Sequence, residues 1–240
     1  MAIKGKSKPR SRRAVTAGPR PGYTPVKKPL LARRGFWFTV LTVVMIASVV
    51  GIWFGLARER TNQRNKELQQ QKRMAALAFQ GKIQGALAGV GQAAPPDGFT
   101  AFPALTTDMT GLGKGSVKPT AVAADAAAAQ KNAANAQKAL ASIDPLTLTA
   151  NKGFDVGFVN YFFNAKEKML DAVKLYQNVA ILVDRAASAT GKDRAELLAR
   201  ATSIAAVASD LMNNGYSDYV QVQDQGGIFQ PTFPTAPAGS

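Results

Sequence analysis

The sequence contains no cysteine and no histidine. Without cysteine the chain has no disulfide bonds and no thiolate nucleophile, so any core that it forms depends on packing alone. Without histidine it cannot build the common zinc sites, an imidazole general base or a histidine-ligated haem. Oxygen-based sites for magnesium or calcium remain open, as do a serine–lysine pair and a pair of carboxylates.

Acidic residues are missing from the first 57 positions, and charge of either sign is missing from residues 35–57. Eleven of the 30 Lys and Arg residues lie in residues 1–34, and the other 19 are nearly balanced by the 15 acidic residues. Most of the net charge of +15 therefore belongs to the N-terminal tail. It says little about the partners of the rest of the chain.

The uncharged stretch GFWFTVLTVVMIASVVGIWFGLA predicts one transmembrane helix over residues 35–57. At 1.5 Å per residue the helix is about 34 Å long, enough to cross a hydrocarbon core of about 30 Å. Its two tryptophans, which favour the membrane interface, and its basic flanks mark the anchor residues as Trp37, Trp53, Arg33, Arg34 and Arg58. A buried core helix would carry a polar stripe, and a cleaved signal peptide would have a shorter apolar run, so we expect an uncleaved signal anchor.

The basic tail decides the expected orientation. Residues 15–34 carry five Lys or Arg and residues 58–77 carry six, so the local charges alone do not choose a side. The eleven basic residues of the whole tail favour a cytoplasmic N-terminus, because a long C-terminal region crosses a membrane largely regardless of its charge. We therefore expect a single-pass protein of the cell membrane, with its C-terminal domain extracytoplasmic. The alanine-rich composition suggests a bacterial source.

Both ends of the chain are predicted to be disordered. Residues 1–34 combine five prolines with basic residues and cannot bury a core, so we expect a disordered cytoplasmic tail. That tail could contact anionic lipid. Nucleic acid is not an expected partner, because Tyr23 is the tail's only aromatic residue. Residues 216–240 end in QPTFPTAPAGS and are expected to be extended and mostly disordered.

The region between predicts an all-α fold in three parts. Residues 58–90 continue as a stalk helix, polar on every face at first and amphipathic from Met74. Residues 91–119, with four prolines and five glycines, predict an irregular linker. Residues 120–215 predict an extracytoplasmic helical domain. Its last helix should end at Asn213, Asn214 and Gly215.

Heptad spacing in this domain predicts an antiparallel helical hairpin or bundle with coiled-coil character. Bulky and small residues alternate at spacings of three and four in residues 154–190 and again in residues 193–214. The link at 190–192 is too short for anything but antiparallel neighbours. The expected core residues are Phe158, Phe162, Met169, Tyr176, Val183, Leu197, Ile204 and Leu211.

Two ridges of small residues are candidate surfaces for helix packing or oligomerisation, because glycine lets another backbone come close. Each ridge has a spacing of four residues, one inside the predicted span and one outside it. The alternatives are chance for the first ridge and flexibility for the second. The ridge residues are Ala47, Gly51, Gly55, Gly81, Gly85 and Gly89.

No motif in the sequence specifies a reaction. Glu167 and Asp171 lie among lysines, which is typical of an ion-paired surface. The glycines at 111–115 lack the spacing of a phosphate-binding loop. We expect no catalytic, cofactor-binding or metal-binding residues. The expected function is non-enzymatic: an anchored envelope protein whose outer helices associate with copies of itself or with a partner. The alternative is a binding or sensory module with a pocket for an apolar ligand among those helices.

Overall fold

The computed structural model describes Gly18, Gly22 and residues 34–94, 98–150 and 152–228. The fold of these residues is helical, with one small sheet, so the all-α class holds in its coarse form. Strands β1 (Gly91–Ala94) and β2 (Gly98–Ala101) pair antiparallel, with Gly91 opposite Ala101. The helices are α1 (Arg34–Leu87), α2 (Pro103–Lys114), α3 (Pro119–Ala141), α4 (Pro145–Thr149), α5 (Val156–Ser188) and α6 (Gly191–Gln225).

The chain divides into two compact units, of which the first ends at Arg58 and the second begins at Glu59. The first unit contains the predicted span, which is the one helix in the described part of the chain long and apolar enough to cross a membrane. Thr39, Thr42 and Ser48 are its hydroxyl-bearing residues, and each donates to the carbonyl four residues earlier. These polar groups are thus satisfied within the helix, as a hydrocarbon environment requires.

Several predictions fall outside the described residues. These are the disordered tails, in residues 1–33 apart from Gly18 and Gly22 and in residues 229–240, and the flanking position of Arg33. Arg34 begins α1, but its side chain also lies outside the described part. Trp37 and Trp53 are exposed, 58% and 66%.

The second half of the predicted stalk is a core helix. Within residues 72–90 a spacing of three and four residues places the buried positions on one side of α1. Phe79, the central one, packs on Phe162 and Tyr219 with ring centroids 4.7 and 6.3 Å apart. The buried apolar residues of this segment are Ala75, Ala76, Phe79, Ile83, Ala86, Leu87 and Val90.

Helices α5 and α6 form the largest contact of the second unit, and α3 packs against α5 with an alanine stripe. Lys168 near the start of α5 lies 2.6 Å from Asp218 near the end of α6. At the turn between them, Arg194 Nε donates to the Ala189 carbonyl over 2.9 Å. The start of each helix therefore lies against the end of the other. The five core residues expected on α5 are all buried: Phe158, Phe162, Met169, Tyr176 and Val183.

Helix α6 differs from the prediction in two respects. It continues through the expected stop at Gly215 to Gln225, so residues 216–225 are helical rather than extended. Packing overrides the local stop signal, because Tyr219 and Val222 are fully buried. Its buried stripe is also shifted by about one residue from the predicted one. Leu197, Ile204 and Leu211 are only half-buried, and the enclosed positions are Leu198, Ala201, Ala208 and Met212.

The described part of this region, residues 91–94 and 98–119, is not the irregular linker that its sequence indicated. Pro103 occupies the first turn of α2, where its missing N–H costs nothing. Gly115 ends that helix at φ 69°, a left-handed conformation that glycine adopts freely. The Phe99 backbone N–H donates to Asn213 Oδ1 over 2.9 Å, which ties β2 to α6. Proline and glycine here mark the ends of elements rather than the absence of structure.

Candidate interaction surface

Two glycines of the ridge outside the span, Gly81 and Gly85, do not pack against the rest of the described chain. A Cβ added at Gly81 or Gly85 would meet nothing within 4 Å. Gly89 differs, because it lies beyond the end of α1 at φ +88°, and its carbonyl accepts a hydrogen bond from Asn132 Nδ2 over 3.2 Å. The first two glycines thus lie on a free surface, and the third forms a turn.

Gly81 and Gly85 belong to a larger exposed apolar strip, which we call the outer face of α1. At 3.6 residues per turn its members lie on the side of the helix opposite Phe79 and Ile83. Met74 and Leu77 are its largest side chains, 66% and 43% exposed. The strip is about 21 Å long at 1.5 Å per residue. Its members are Met74, Leu77, Ala78, Gly81, Gly85 and Ala88.

This segment of α1 is apolar on two opposite sides, although only one is covered. An apolar stripe on a helix normally faces another element of the fold. Each glycine inside a helix costs about 0.5–1 kcal/mol relative to alanine. The space around Gly81 and Gly85 would accept alanine, so no contact among the described residues requires glycine there. Close approach of a second helix would require glycine at these two positions.

The ridge inside the span is equally uncovered. A Cβ added at Gly51 or Gly55 would meet nothing within 4 Å, and Ala47 is exposed. Apart from Gly89, the structure therefore brings no glycine of either ridge against another helix within the described part of this chain.

The aromatic residues of the second unit contact one another directly. The Phe158 and Phe162 ring centroids are 5.1 Å apart at an interplanar angle of 85°. Phe102 and Tyr176 are 5.4 Å apart. These rings occupy the positions in which the sequence placed a pocket for an apolar ligand, and their mutual contacts are typical of a packed core.

A polar contact that the sequence did not reveal joins α1 to the start of α5. Lys72 Nζ lies 2.7 Å from Asp155 Oδ2 and 4.7 Å from the centroid of the Phe158 ring. Asp155 Oδ1 accepts from the Phe158 N–H over 2.8 Å and so caps α5. Two hydrogen bonds lower the pKa of Asp155. The bond from Lys72 has the larger effect, and the bond from the Phe158 N–H has the smaller one.

A second polar group fixes α1 against α6. The Gln223 side chain is fully buried, and its Nε2 donates to the Ala76 carbonyl over 3.3 Å. Within the described chain Gln223 Oε1 has no hydrogen-bond donor. Gly226 lies so close to Ala76 that a Cβ there would be 2.6 Å from that of Ala76. A buried amide beside such a close contact favours one alignment of the two helices.

The two carboxylates that the sequence singled out, Glu167 and Asp171, each lie beside a lysine. Asp171 lies 2.8 Å from Lys174 and Glu167 lies 3.0 Å from Lys166, so both belong to surface ion pairs. No group of three or more acidic residues that could hold a metal ion occurs in the part of the chain that the structure describes. Asp108 on α2 stands apart, because it is only 6% exposed.

Comparison with known proteins gives no relative: no family model, no curated protein and no solved structure matches the chain. What the fold defines is a helical protein with one helix near its N-terminus that can cross a membrane. Its function has to be inferred from its own surfaces.

Proposed function

We propose that this chain is a single-pass, non-enzymatic protein of the cell envelope that self-associates through helices outside the cytoplasm. The observation that carries the proposal is the outer face of α1, which is apolar, uncharged and uncovered. Exposed apolar strips of this kind mark interaction sites in soluble domains. The two glycines in the strip fit close contact with a second helix.

A second copy is the partner that we favour. Copies anchored in one membrane share an orientation, so the same face of each can meet about a two-fold axis. The anchor also holds them at a high local concentration, which lets a small contact suffice. Ala47, Gly51 and Gly55 offer a further contact within the span, where close backbone packing drives association.

The expected topology belongs to the same proposal. The unbalanced basic tail supports a cytoplasmic N-terminus and an extracytoplasmic second unit. Its positive charges suit contact with anionic lipid. In the second unit, α5 and α6 would form a hairpin of coiled-coil character. A reporter that is active only outside the cytoplasm, fused after residue 240, should be active. Activity from a cytoplasm-dependent reporter instead would reverse this topology.

The alternative function, a sensory module with an apolar ligand, has less support. It needs space among the core aromatics, and those rings touch each other. Retention of a detergent or lipid molecule inside the purified second unit would favour it.

Energy transfer between labelled copies of the full chain in lipid bilayers tests self-association. The double variant Gly81→Leu/Gly85→Leu should lower the transfer, because two leucines block close approach while open space spares the fold. Gly51→Ile/Gly55→Ile measures the contribution of the span. Ala128→Leu, which adds a leucine at an exposed position of α3, serves as the matched control.

The proposal makes a definite demand on these measurements. The control should match the wild type at equal protein-to-lipid ratio, and the α1 variant should not. Transfer that is absent from the wild type, or that survives both double substitutions, would show that these faces do not join copies of the chain.

A further inference from the structure

Asp108 is a buried carboxyl group on the packing face of α2. It lies among Leu105, Met109 and Leu112, all less than 8% exposed. Helix α2 packs on α3, α6 and α5. The Asp108 Oδ2 atom is enclosed and meets no hydrogen-bond donor in the described chain. A charged carboxylate in that position would be costly.

The side chain that reaches Asp108 is another carboxyl group. Asp125 of α3 is in hydrogen-bonding contact with it. A hydrogen bond between two carboxyl groups needs a proton on one of them, so this contact favours a protonated Asp108. Burial raises the pKa of Asp108, and the charge of Asp125 together with their hydrogen bond raises it further.

Nothing on the neighbouring helices offsets this effect. Helix α6 approaches α2 where Leu198 lies 3.7 Å from the position of a Cβ on Gly113. The charged residues nearest to Leu198 in sequence, Glu196 and Arg200, do not contribute to the pKa shift of Asp108, and neither does any charged group of α5. Among the described residues, Asp125 is the charged group whose interaction raises the pKa of Asp108.

We propose that α2 is a proton-operated element: a proton shared by Asp108 and Asp125 holds α2 on α3, and loss of that proton loosens the contact. Opening would uncover the apolar residues of α2, Leu105, Met109 and Leu112, which are buried when α2 is docked. The second unit would thus gain an apolar surface as the pH rises. This inference does not depend on self-association through α1.

The direction of the effect follows from linkage. The pKa of Asp108 is higher in the folded state than the ordinary aspartate value of about 3.9. The stabilisation of docked α2 by this proton is therefore complete below the ordinary value and is lost as pH rises through the folded pKa. One proton is involved, so the opening equilibrium of α2 can increase by at most about tenfold per pH unit.

Hydrogen exchange of the full chain in detergent, from pH 4 to pH 8 and corrected for intrinsic rates, measures that equilibrium. Amides of residues 103–114 should lose protection as pH rises. Asp108→Asn should keep α2 protected throughout, since a neutral amide has no charge to bury and can donate to Asp125. Asp125→Asn, at an exposed position, should reduce the pH dependence, and Asp210→Asn on an exposed position of α6 should leave it unchanged.

Two results would overturn the proposal. One is wild-type protection of α2 that does not change with pH. The other is a pH-dependent loss that persists in Asp108→Asn. If Asp108→Asn does not fold, Asp125→Asn decides alone: a pH profile identical to the wild type would refute the shared proton.

Discussion

Replacing Gly215 by alanine should destabilise the chain, although alanine is the better helix former. Gly215 lies inside α6, at a position where that helix packs closely against α5. An added Cβ would be 2.9 Å from Met169 Cγ and 3.1 Å from the Met169 backbone nitrogen. The Ala165 carbonyl oxygen would be 3.2 Å away. Two of these three atoms belong to the backbone of α5, so a rotamer change cannot relieve the contact and the helices must separate.

The expected magnitude comes from two opposing terms. Alanine in place of a helical glycine gains about 0.5–1 kcal/mol. Overpacking a well-filled contact costs about 1–3 kcal/mol, and backbone contact places this site in the upper part of that range. The net loss should be about 1–2 kcal/mol. For a chain of this size each kcal/mol lowers the melting temperature by about 2–4 °C.

Thermal melting of the full chain in detergent, followed by circular dichroism, measures the effect. Gly81→Ala and Gly85→Ala are matched controls in another helix, because their added methyl groups meet nothing within 4 Å. They should raise the melting temperature while Gly215→Ala lowers it. If all three substitutions stabilise the chain equally, α5 and α6 are not as close at Gly215 as the structure places them.

Two further predictions concern the core and its edge. Met169→Lys should lower the free energy of unfolding by about 3–5 kcal/mol, because it places an unpaired charge at a position with no exposed surface. An unchanged denaturant midpoint would show that Met169 is not in the core. Lys72→Met should cost only about 0.5–1 kcal/mol at neutral pH, because Asp155 is 59% exposed and water screens the pair. Lys72 lowers the pKa of Asp155 in the folded state. The contribution of the ion pair to stability is therefore present above the ordinary aspartate pKa and is lost as pH falls through the folded-state pKa. Stability profiles of wild type and Lys72→Met should therefore converge in acid, and a gap that widens as pH falls would contradict the assigned ion pair.

The sequence predicted those features that depend on regular spacing. The heptad residues of α5 recur every three or four positions, and that periodicity alone identifies the side that the helix buries. The predicted end of α6 was wrong because Asn213, Asn214 and Gly215 are local stop signals. Their real roles are tertiary, since Asn213 binds β2 and Gly215 meets α5.

The polar contacts could not have been found in the same way. Lys72 and Asp155 are 83 residues apart in sequence, and nothing near either residue indicates the other. Asp155 alone carried a local signal, as a helix-capping residue type just before an apolar periodic segment. Asp108 reads as an ordinary exposed aspartate until α2 is known to be a packed helix. The outer face of α1 needed the fold as well, because only the structure shows which apolar side of that helix is covered.

The contact between Gln223 and Ala76 has a consequence for the order of synthesis. The two residues are separated by 147 positions, and the buried side of α1 leaves the ribosome long before α6 exists to cover it. At typical elongation rates of 5–20 residues per second, that side stays uncovered for about 7–30 s. During this interval the nascent chain exposes Phe79 and Ile83 as well as Met74 and Leu77, with no distinction between the two sides of the helix. A ribosome that stops before α6 is complete would release a chain whose first helix can still bind any apolar surface it meets.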